Sequence, residues 1–221
     1  MDDYPISLHL RGQLCLIVGA GAVGRRKLAG LRRAGARLRL VAPDAPPDLA
    51  GPDLEIRRRP FEPADLEGAA LVCAATDDPA LNAAIARRAR AAGLLVNVAD
   101  QPELGNFTLP ALCRRGALTL AVSSGGASPA LAALVRDQLA ASFGSEWATV
   151  LEIAAALRRK RLTPPQRSEY NQEVLRRLLE RGLPTLVAAG AAPAIDELLQ
   201  DLCGPGCTLA DLGVHLPKRL P

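Results

Sequence analysis

The chain has 221 residues, a formal net charge of +4 and 49% hydrophobic residues, of which few are aromatic. No apolar run approaches the roughly 20 residues that a membrane-spanning helix needs, and the acidic start lacks a signal segment, so we expect a cytoplasmic protein. Its arginine runs lack interleaved aromatic residues, and the sequence has no nucleic-acid-binding motif. The molecule that binds these arginines is therefore predicted to be small and acidic rather than a nucleic acid.

The most informative stretch reads Gly-Ala-Gly-Ala-Val-Gly over residues 19–24, directly after the apolar run at residues 14–18. A strand that leads through G-x-G-x-x-G into a helix is typical of a turn that binds the pyrophosphate of a dinucleotide. The free N–H groups of the helix N-terminus face the anion. The predicted cofactor contacts in this turn are Gly19, Gly21, Ala22, Val23 and Gly24. The alternative is a glycine-rich turn without a ligand.

An acidic residue follows the second predicted strand, residues 38–41. Asp44 lies about 20 residues after the last glycine, where a carboxylate can bind a ribose hydroxyl. We therefore predict that Pro43 and Asp44 belong to the cofactor site, and that the carboxylate favours NAD over NADP because it disfavours a 2′-phosphate. The alternative is an ordinary turn aspartate after a proline.

The elements that follow alternate between strands and helices, which predicts an α/β fold with a Rossmann-like parallel sheet and helices on both faces. The predicted strands are residues 14–18, 38–41, 54–56, 70–75, 94–98 and 118–122. Helices are predicted from the glycine turn to Gly35, from Pro79 to Gly93, from Pro129 onward, and over residues 147–160, 165–181 and 193–202.

The change from alternating elements to helices alone predicts three parts. Residues 1–113 form an NAD-binding Rossmann domain, residues 114–145 a dimerisation segment, and residues 146–221 a helical C-terminal module, with a boundary near residues 112–117. The helix from Pro129 carries an apolar stripe, which either forms a homodimer or packs within the chain; its members are Leu131, Leu134, Val135 and Leu139.

Ligands of open parallel sheets bind beyond the carboxyl ends of the strands, which here are the glycine turn, residues 76–78 and residues 97–110. Thr76 is therefore a predicted cofactor contact. The two histidines lie far apart, and the cysteines lack the spacing of metal ligands, so we predict no resident metal. Cys203 and Cys207 are close enough in sequence to pair or to bind a metal together, but no further cysteine or histidine lies beside them.

Residues 97–102, Asn-Val-Ala-Asp-Gln-Pro, followed by Phe107 and Pro110, carry a specific resemblance. They resemble the precorrin-2 dehydrogenase/sirohydrochlorin ferrochelatase family, the N-terminal module of siroheme synthases. Residues 74–78 and 121–132 are also similar to that family, and the resemblance covers residues 4–142. Beyond them, the helical tail is only loosely similar.

The resemblance implies an oxidoreductase that uses NAD⁺ to convert precorrin-2 to sirohydrochlorin, and it implies a homodimer. It leaves open whether the chain is also a lyase that inserts Fe²⁺, or Co²⁺, into the product. Asp100 is the predicted catalytic base, which accepts a proton from the macrocycle; on composition alone it reads as a turn aspartate. Ser124, Asn106 and Arg114 are predicted substrate contacts. The alternative function is a non-catalytic NAD-binding module that senses redox state.

Overall fold

The computed structural model describes residues 3–160 and 168–217, which fall into two compact units, Met1–Leu109 and Pro110–Pro221. The first unit is built on a sheet of five parallel strands in the order β3-β2-β1-β4-β5. Its strands and helices are β1 (Leu14–Val18), α1 (Ala22–Arg33), β2 (Arg37–Val41), β3 (Leu54–Arg57), β4 (Ala69–Ala74), α2 (Pro79–Ala91) and β5 (Leu95–Val98). Short 3₁₀ helices lie at Pro63–Leu66 and Pro102–Leu104.

Both faces of this sheet are buried, which explains the nearly continuous apolar runs of its central strands. On one face, Leu16 of β1 packs in a cluster with Ile85 of α2, and both side chains are fully buried. On the other face, Ile17 packs in a cluster with Leu28 of α1. The predicted Rossmann-like fold is confirmed for this unit.

The second unit contains a two-stranded antiparallel sheet and six helices among its described residues. Its elements are β6 (Ala111–Arg115), β7 (Leu118–Val122), α3 (Pro129–Ser142), α4 (Glu146–Arg159), α5 (Ser168–Glu180), α6 (Leu183–Ala188), α7 (Ala192–Cys203) and α8 (Leu209–Leu212). Fully buried side chains from four of these helices form its core: Ile153, Leu178, Leu183, Ile195 and Leu199.

The strand predicted at residues 118–122 is present, but it does not extend the parallel sheet as expected. It pairs with β6, which lies where a boundary loop was predicted. Of the β6 residues only Cys113 is buried, and two arginines follow it, so no apolar pattern marks this strand in the sequence. The short helices α6 and α8 were also not predicted. The first residues of the helix predicted over 165–181 lie outside the described part of the chain.

The predicted division at residues 113 and 145, into a Rossmann domain, a dimerisation segment and a helical module, stays a prediction. Every helix in residues 3–160 and 168–217 falls short of the length and apolarity that crossing a membrane requires.

The arginine run at residues 57–59 has a structural role in the first unit. The Asp65 side chain is completely buried, and its carboxylate accepts hydrogen bonds from Arg59 (2.7 and 2.9 Å), from Arg57 (2.5 Å) and from the N–H group of Glu62 (2.8 Å). Burial opposes ionisation, but the hydrogen bonds from Arg59, Glu62 and Arg57 outweigh it and lower the pKa of Asp65 to about 2. These bonds fasten the end of β3 to the segment that leads into β4.

We predict that Asp65→Asn lowers the free energy of unfolding by about 3 kcal/mol near neutral pH, because it leaves two arginines beside a buried neutral group. Urea denaturation measures the change, with the exposed Asp48→Asn as the control. Since the native pKa lies below the ordinary value of about 3.9, the ionised carboxylate stabilises the fold above that pH, and this contribution is lost as the pH falls toward 2. An Asp65→Asn protein as stable as the wild type near neutral pH would contradict the prediction.

Candidate functional site

The carboxyl ends of β1, β4 and β5 lie side by side, because these strands are parallel neighbours. Backbone hydrogen bonds continue the pairing past the strand ends: Ala75 N–H donates to the carbonyl oxygen of Val18 (2.8 Å), and Ala99 N–H donates to that of Ala74 (3.0 Å). The strand order also reverses at β1. The strands β2 and β3 lie on one side of it, and β4 and β5 lie on the other side. Open α/β sheets bind ligands at such a point.

The glycine turn fits against the neighbouring strand only because residue 19 lacks a side chain. Gly19 has a φ of +102°, and a Cβ atom there would lie 2.2 Å from the carbonyl oxygen of Ala75. A Cβ atom at Gly24 would lie 2.1 Å from the carbonyl oxygen of Gly19. Two of the three glycines are therefore required by close packing within the protein.

The space beside Gly21 is open, unlike that beside Gly19 and Gly24, and it could hold an anion. It is the N-cap of α1 with a φ of −64°, and a Cβ atom there would meet no protein atom within 4 Å. No side chain caps this helix, and its first turn holds no acidic residue. The first N–H groups of a helix, here those of Ala22 and Val23, have no partner within the helix and can bind a pyrophosphate. The turn therefore fits the phosphates of a dinucleotide.

Pro43 and Asp44 lie in an exposed turn just after β2, at the same edge of the sheet. A cation also borders this turn, because Arg58 donates from Nε to the carbonyl oxygen of Ala45 (3.3 Å). The position predicted for the ribose thus has an acidic and a basic neighbour. Only the acidic neighbour was predicted from the sequence.

Asn82 of α2 connects the loop after β4 with the loop after β5. Its side chain is fully buried. The amide oxygen accepts hydrogen bonds from Thr76 N–H (3.1 Å) and Thr76 Oγ1 (2.8 Å), and the amide nitrogen donates to the Thr76 carbonyl oxygen (3.1 Å) and to Asp100 Oδ1 (3.0 Å). The structure therefore brings the predicted cofactor contact Thr76 and the predicted base Asp100 together through a residue that sequence analysis missed.

A second polar connection crosses from α1 to β5. Lys27 Nζ donates to Oδ1 of the buried Asn97, whose Nδ2 donates to the carbonyl oxygen of Phe107 (3.1 Å). Burial lowers the pKa of Lys27 and the charge of Arg26 adds to this shift, while Cys73 opposes it. This connection attaches the loop that contains Asp100 to the helix of the glycine turn.

Asn106 is engaged with the edge of β5. Its amide oxygen accepts from Val96 N–H (2.7 Å), and its amide nitrogen donates to the carbonyl oxygen of Leu94 (2.9 Å). The side chain thereby satisfies backbone groups of an edge strand. Its predicted contact with substrate stays a prediction.

Ser124 and Arg114 belong to the second unit. Ser124 Oγ accepts from Ser128 N–H (3.0 Å), and Ser128 Oγ accepts from Leu131 N–H (3.2 Å), which caps α3. Arg114 is exposed on β6, whereas its neighbour Arg115 donates to backbone carbonyl oxygens at the end of α3. The substrate roles of Ser124 and Arg114 stay predictions.

The cysteines are free thiols, including Cys203 and Cys207. Burial, together with the neighbouring Cys207, raises the pKa of Cys203 to about 12, so this thiol stays protonated. Within the described residues, no three His, Cys, Asp or Glu side chains are grouped so that they could hold a metal ion.

Two family descriptions match separate regions of the chain. Residues 6–111 match the family described as "Putative NAD(P)-binding", and residues 115–142 match the one described as "Sirohaem biosynthesis protein central". A siroheme synthase of Methylobacillus flagellatus is 39% identical over 207 residues, which cover 90% of this chain and 44% of that protein. The chain is therefore similar to siroheme synthases over most of its own length. A siroheme synthase of Methylococcus capsulatus is 40% identical over 206 residues, covering 90% of this chain and 43% of that protein.

The fold comparison agrees with this similarity. The solved structure of SirC, described as a precorrin-2 dehydrogenase, superimposes with a TM-score of 0.71 at 25% identity, over 90% of this chain and 98% of that one. The chain spans less than half the length of the siroheme synthases that it matches.

Two glycine variants distinguish the structural from the binding role of the turn. We predict that Gly21→Ala folds normally but weakens NAD⁺ binding about tenfold or more, because the added methyl group occupies space that the pyrophosphate needs. Gly19→Ala should instead lower the free energy of unfolding by about 3 kcal/mol, because its Cβ atom meets backbone. Calorimetric NAD⁺ titration and urea denaturation measure the two effects. Normal NAD⁺ affinity in Gly21→Ala would exclude this turn as the pyrophosphate site.

Proposed function

We propose that this chain is an enzyme that oxidises precorrin-2 to sirohydrochlorin with NAD⁺ as the electron acceptor. The observation that carries the proposal is the hydrogen bond from Asn82 to Asp100, which holds the Asp100 carboxylate at the sheet edge where the glycine turn also lies. The similarity to siroheme synthases and to SirC supports the same substrate.

The reaction removes two protons and two electrons from the macrocycle. A bound NAD⁺ would accept one proton with both electrons as a hydride from carbon, and the second proton would leave separately. Asp100 would accept this proton, since its side chain is exposed at the surface while one of its oxygens is fixed by Asn82. The products are sirohydrochlorin, NADH and a proton, so that atoms and charge balance.

The substrate carries many carboxylates, and the positive charge of the chain favours its approach. We infer that Arg114 pairs with one of these carboxylates, and that Ser124 and Asn106 contribute hydrogen bonds. A guanidinium group binds a carboxylate with two parallel hydrogen bonds, which would orient the macrocycle as well as hold it.

We infer that NAD rather than NADP is the cofactor. The proposed contacts are Gly19, Gly21, Ala22, Val23, Gly24, Pro43, Asp44 and Thr76. Among these, Asp44 would accept hydrogen bonds from a ribose and repel a 2′-phosphate. Arg58, which borders the same turn, would favour the phosphate, so a comparison of the NAD⁺ and NADP⁺ dissociation constants decides between the two.

Insertion of Fe²⁺ into sirohydrochlorin is the second activity to test, because the relatives are named siroheme synthases. The tetrapyrrole nitrogens are the final ligands of the metal, and Asp100 would take the protons that the metal displaces. Fe²⁺ or Co²⁺ is then a substrate. A non-catalytic NAD-binding module would bind NAD⁺ without turnover.

We also infer a homodimer that forms through α3 and β6. Leu131 and Leu134 of α3 are 57% and 63% exposed, and Leu112 of β6 is exposed as well. Such a cluster of exposed leucines on adjacent elements is typical of a protein–protein interface. A cytoplasmic location stays a prediction.

Asp100→Asn tests the enzyme proposal. We expect it to bind NAD⁺ with unchanged affinity but to form NADH from precorrin-2 about 100-fold more slowly, because an amide cannot accept the proton. The exposed Asp77→Asn is the matched control, and added Fe²⁺ or Co²⁺ in a second step tests chelation. NAD⁺ binding without any NADH from the wild type would favour the redox-sensing module.

The oligomeric state tests the dimer. We expect the wild type to elute as a dimer in size-exclusion chromatography with light scattering, and Leu134→Glu to elute as a monomer, because a carboxylate cannot be buried unpaired in the interface. Leu179→Glu, at an exposed leucine of α5, should remain a dimer. A monomeric wild type at micromolar concentration would contradict the inference.

A further inference from the structure

We propose that Asn82 is a positioning residue that orients the base Asp100 and ties it to the cofactor loop through Thr76. This inference rests on the proposed oxidation of precorrin-2. Asn82 itself is fully buried in α2 and is placed to touch neither substrate nor cofactor, so it would act through the two residues that it binds.

The bonding of Asn82 uses the whole amide group. Both hydrogens of the amide nitrogen have acceptors, the Thr76 carbonyl oxygen and Asp100 Oδ1, and the amide oxygen accepts twice from Thr76. A buried amide with every hydrogen bond satisfied is rigid, since rotation of the side chain would break all of them at once. Asp100 is exposed, so this bond is what restrains its carboxylate.

The position of Asn82 is fixed in turn by the start of α2. Asp78 accepts hydrogen bonds from Ala80 N–H (2.8 Å) and Leu81 N–H (3.1 Å), and its carbonyl oxygen accepts from Asn82 N–H (3.0 Å). This N-cap sets the first turn of the helix beside the Thr76 loop. The Asp100 carboxylate is therefore oriented by the same helix that holds the cofactor loop.

Two separable effects follow from this arrangement. Loss of the bond to Asp100 leaves the carboxylate free to rotate away from the reacting geometry, which slows proton transfer. Loss of the bonds to Thr76 loosens a loop proposed to contact the cofactor, which weakens NAD⁺ binding. The first effect requires Asp100, and the second does not.

A double-mutant cycle separates these effects. Asn82→Leu is made in the wild type and in Asp100→Asn, and NADH formation is followed in single turnovers with enzyme in excess, so that slow variants stay measurable. We expect Asn82→Leu to slow the reaction at saturating NAD⁺ about tenfold in the wild type and less than about twofold in Asp100→Asn, because residues that act together are not additive. NAD⁺ binding should weaken equally in both backgrounds.

Thr76→Val removes one hydroxyl partner of Asn82 and leaves the bond to Asp100, so it should weaken NAD⁺ binding in both backgrounds. Gln200→Leu, at an exposed amide of α7, is the matched control and should keep the rate at saturating NAD⁺ within about twofold of the wild type. If Asn82→Leu does not fold, Asn82→Asp replaces it, since it keeps the volume and the acceptor oxygen but sets a second carboxylate against Asp100. It should slow the reaction to a similar extent.

The possible results are distinct. Equal slowing by Asn82→Leu in both backgrounds, or an unchanged rate in the wild type, would overturn the positioning role while the enzyme proposal stands. A wild type that binds NAD⁺ but forms no NADH would overturn the proposed function, and the positioning role with it.

Discussion

The close approach of Gly19 to the backbone of Ala75 is the constraint on which the proposed site depends. It allows the end of β1 to turn directly against the end of β4, so that α1 begins at the centre of the sheet edge. Backbone hydrogen bonds from Ala75 and Ala99 then keep the ends of β1, β4 and β5 in register. The turn proposed to bind pyrophosphate and a carboxylate from the fifth strand's loop thereby lie at one edge of one sheet.

Two polar connections hold the loops after these strands in defined positions. Asn82 joins Thr76 to Asp100, and Lys27 joins α1 to Asn97 at the end of β5. Each uses a polar side chain that is wholly or partly buried. Because a buried polar group without a hydrogen-bond partner is unfavourable, loss of either partner would destabilise the fold. The loops beyond the strands are therefore held by side chains as well as by the sheet.

The sequence was sufficient to predict the parts of the fold that local patterns determine. The glycine turn, the apolar central strands and the long amphipathic helices each follow from neighbouring residues, and the structure contains them. β6 was missed because it buries little more than Cys113 and shows no alternation. The arginines at residues 57–59 were interpreted as a surface or substrate-binding run, because their partner Asp65 is identified only by the fold.

Residues of the site could be predicted only where the residue type and its position in the sequence already suggest a chemical role. Asp100 follows a strand and lies in a stretch that resembles a family motif, so the sequence alone proposes it as the base. Asn82 lies in an alanine-rich helix, 18 residues before its partner, and resembles an ordinary surface amide until the fold brings α2 against both loops. The bond from Lys27 to Asn97 could not be predicted either, because the two residues lie 70 positions apart in the chain.

The central claim is that hydride passes directly from the tetrapyrrole to a dinucleotide bound at the glycine turn. The most direct measurement uses precorrin-2 that carries deuterium on the carbon to be oxidised, followed by mass spectrometry of the NADH formed. The account predicts NADH that is heavier by one deuterium, together with sirohydrochlorin. Sirohydrochlorin formed with unlabelled NADH, or with no NADH at all, would contradict it.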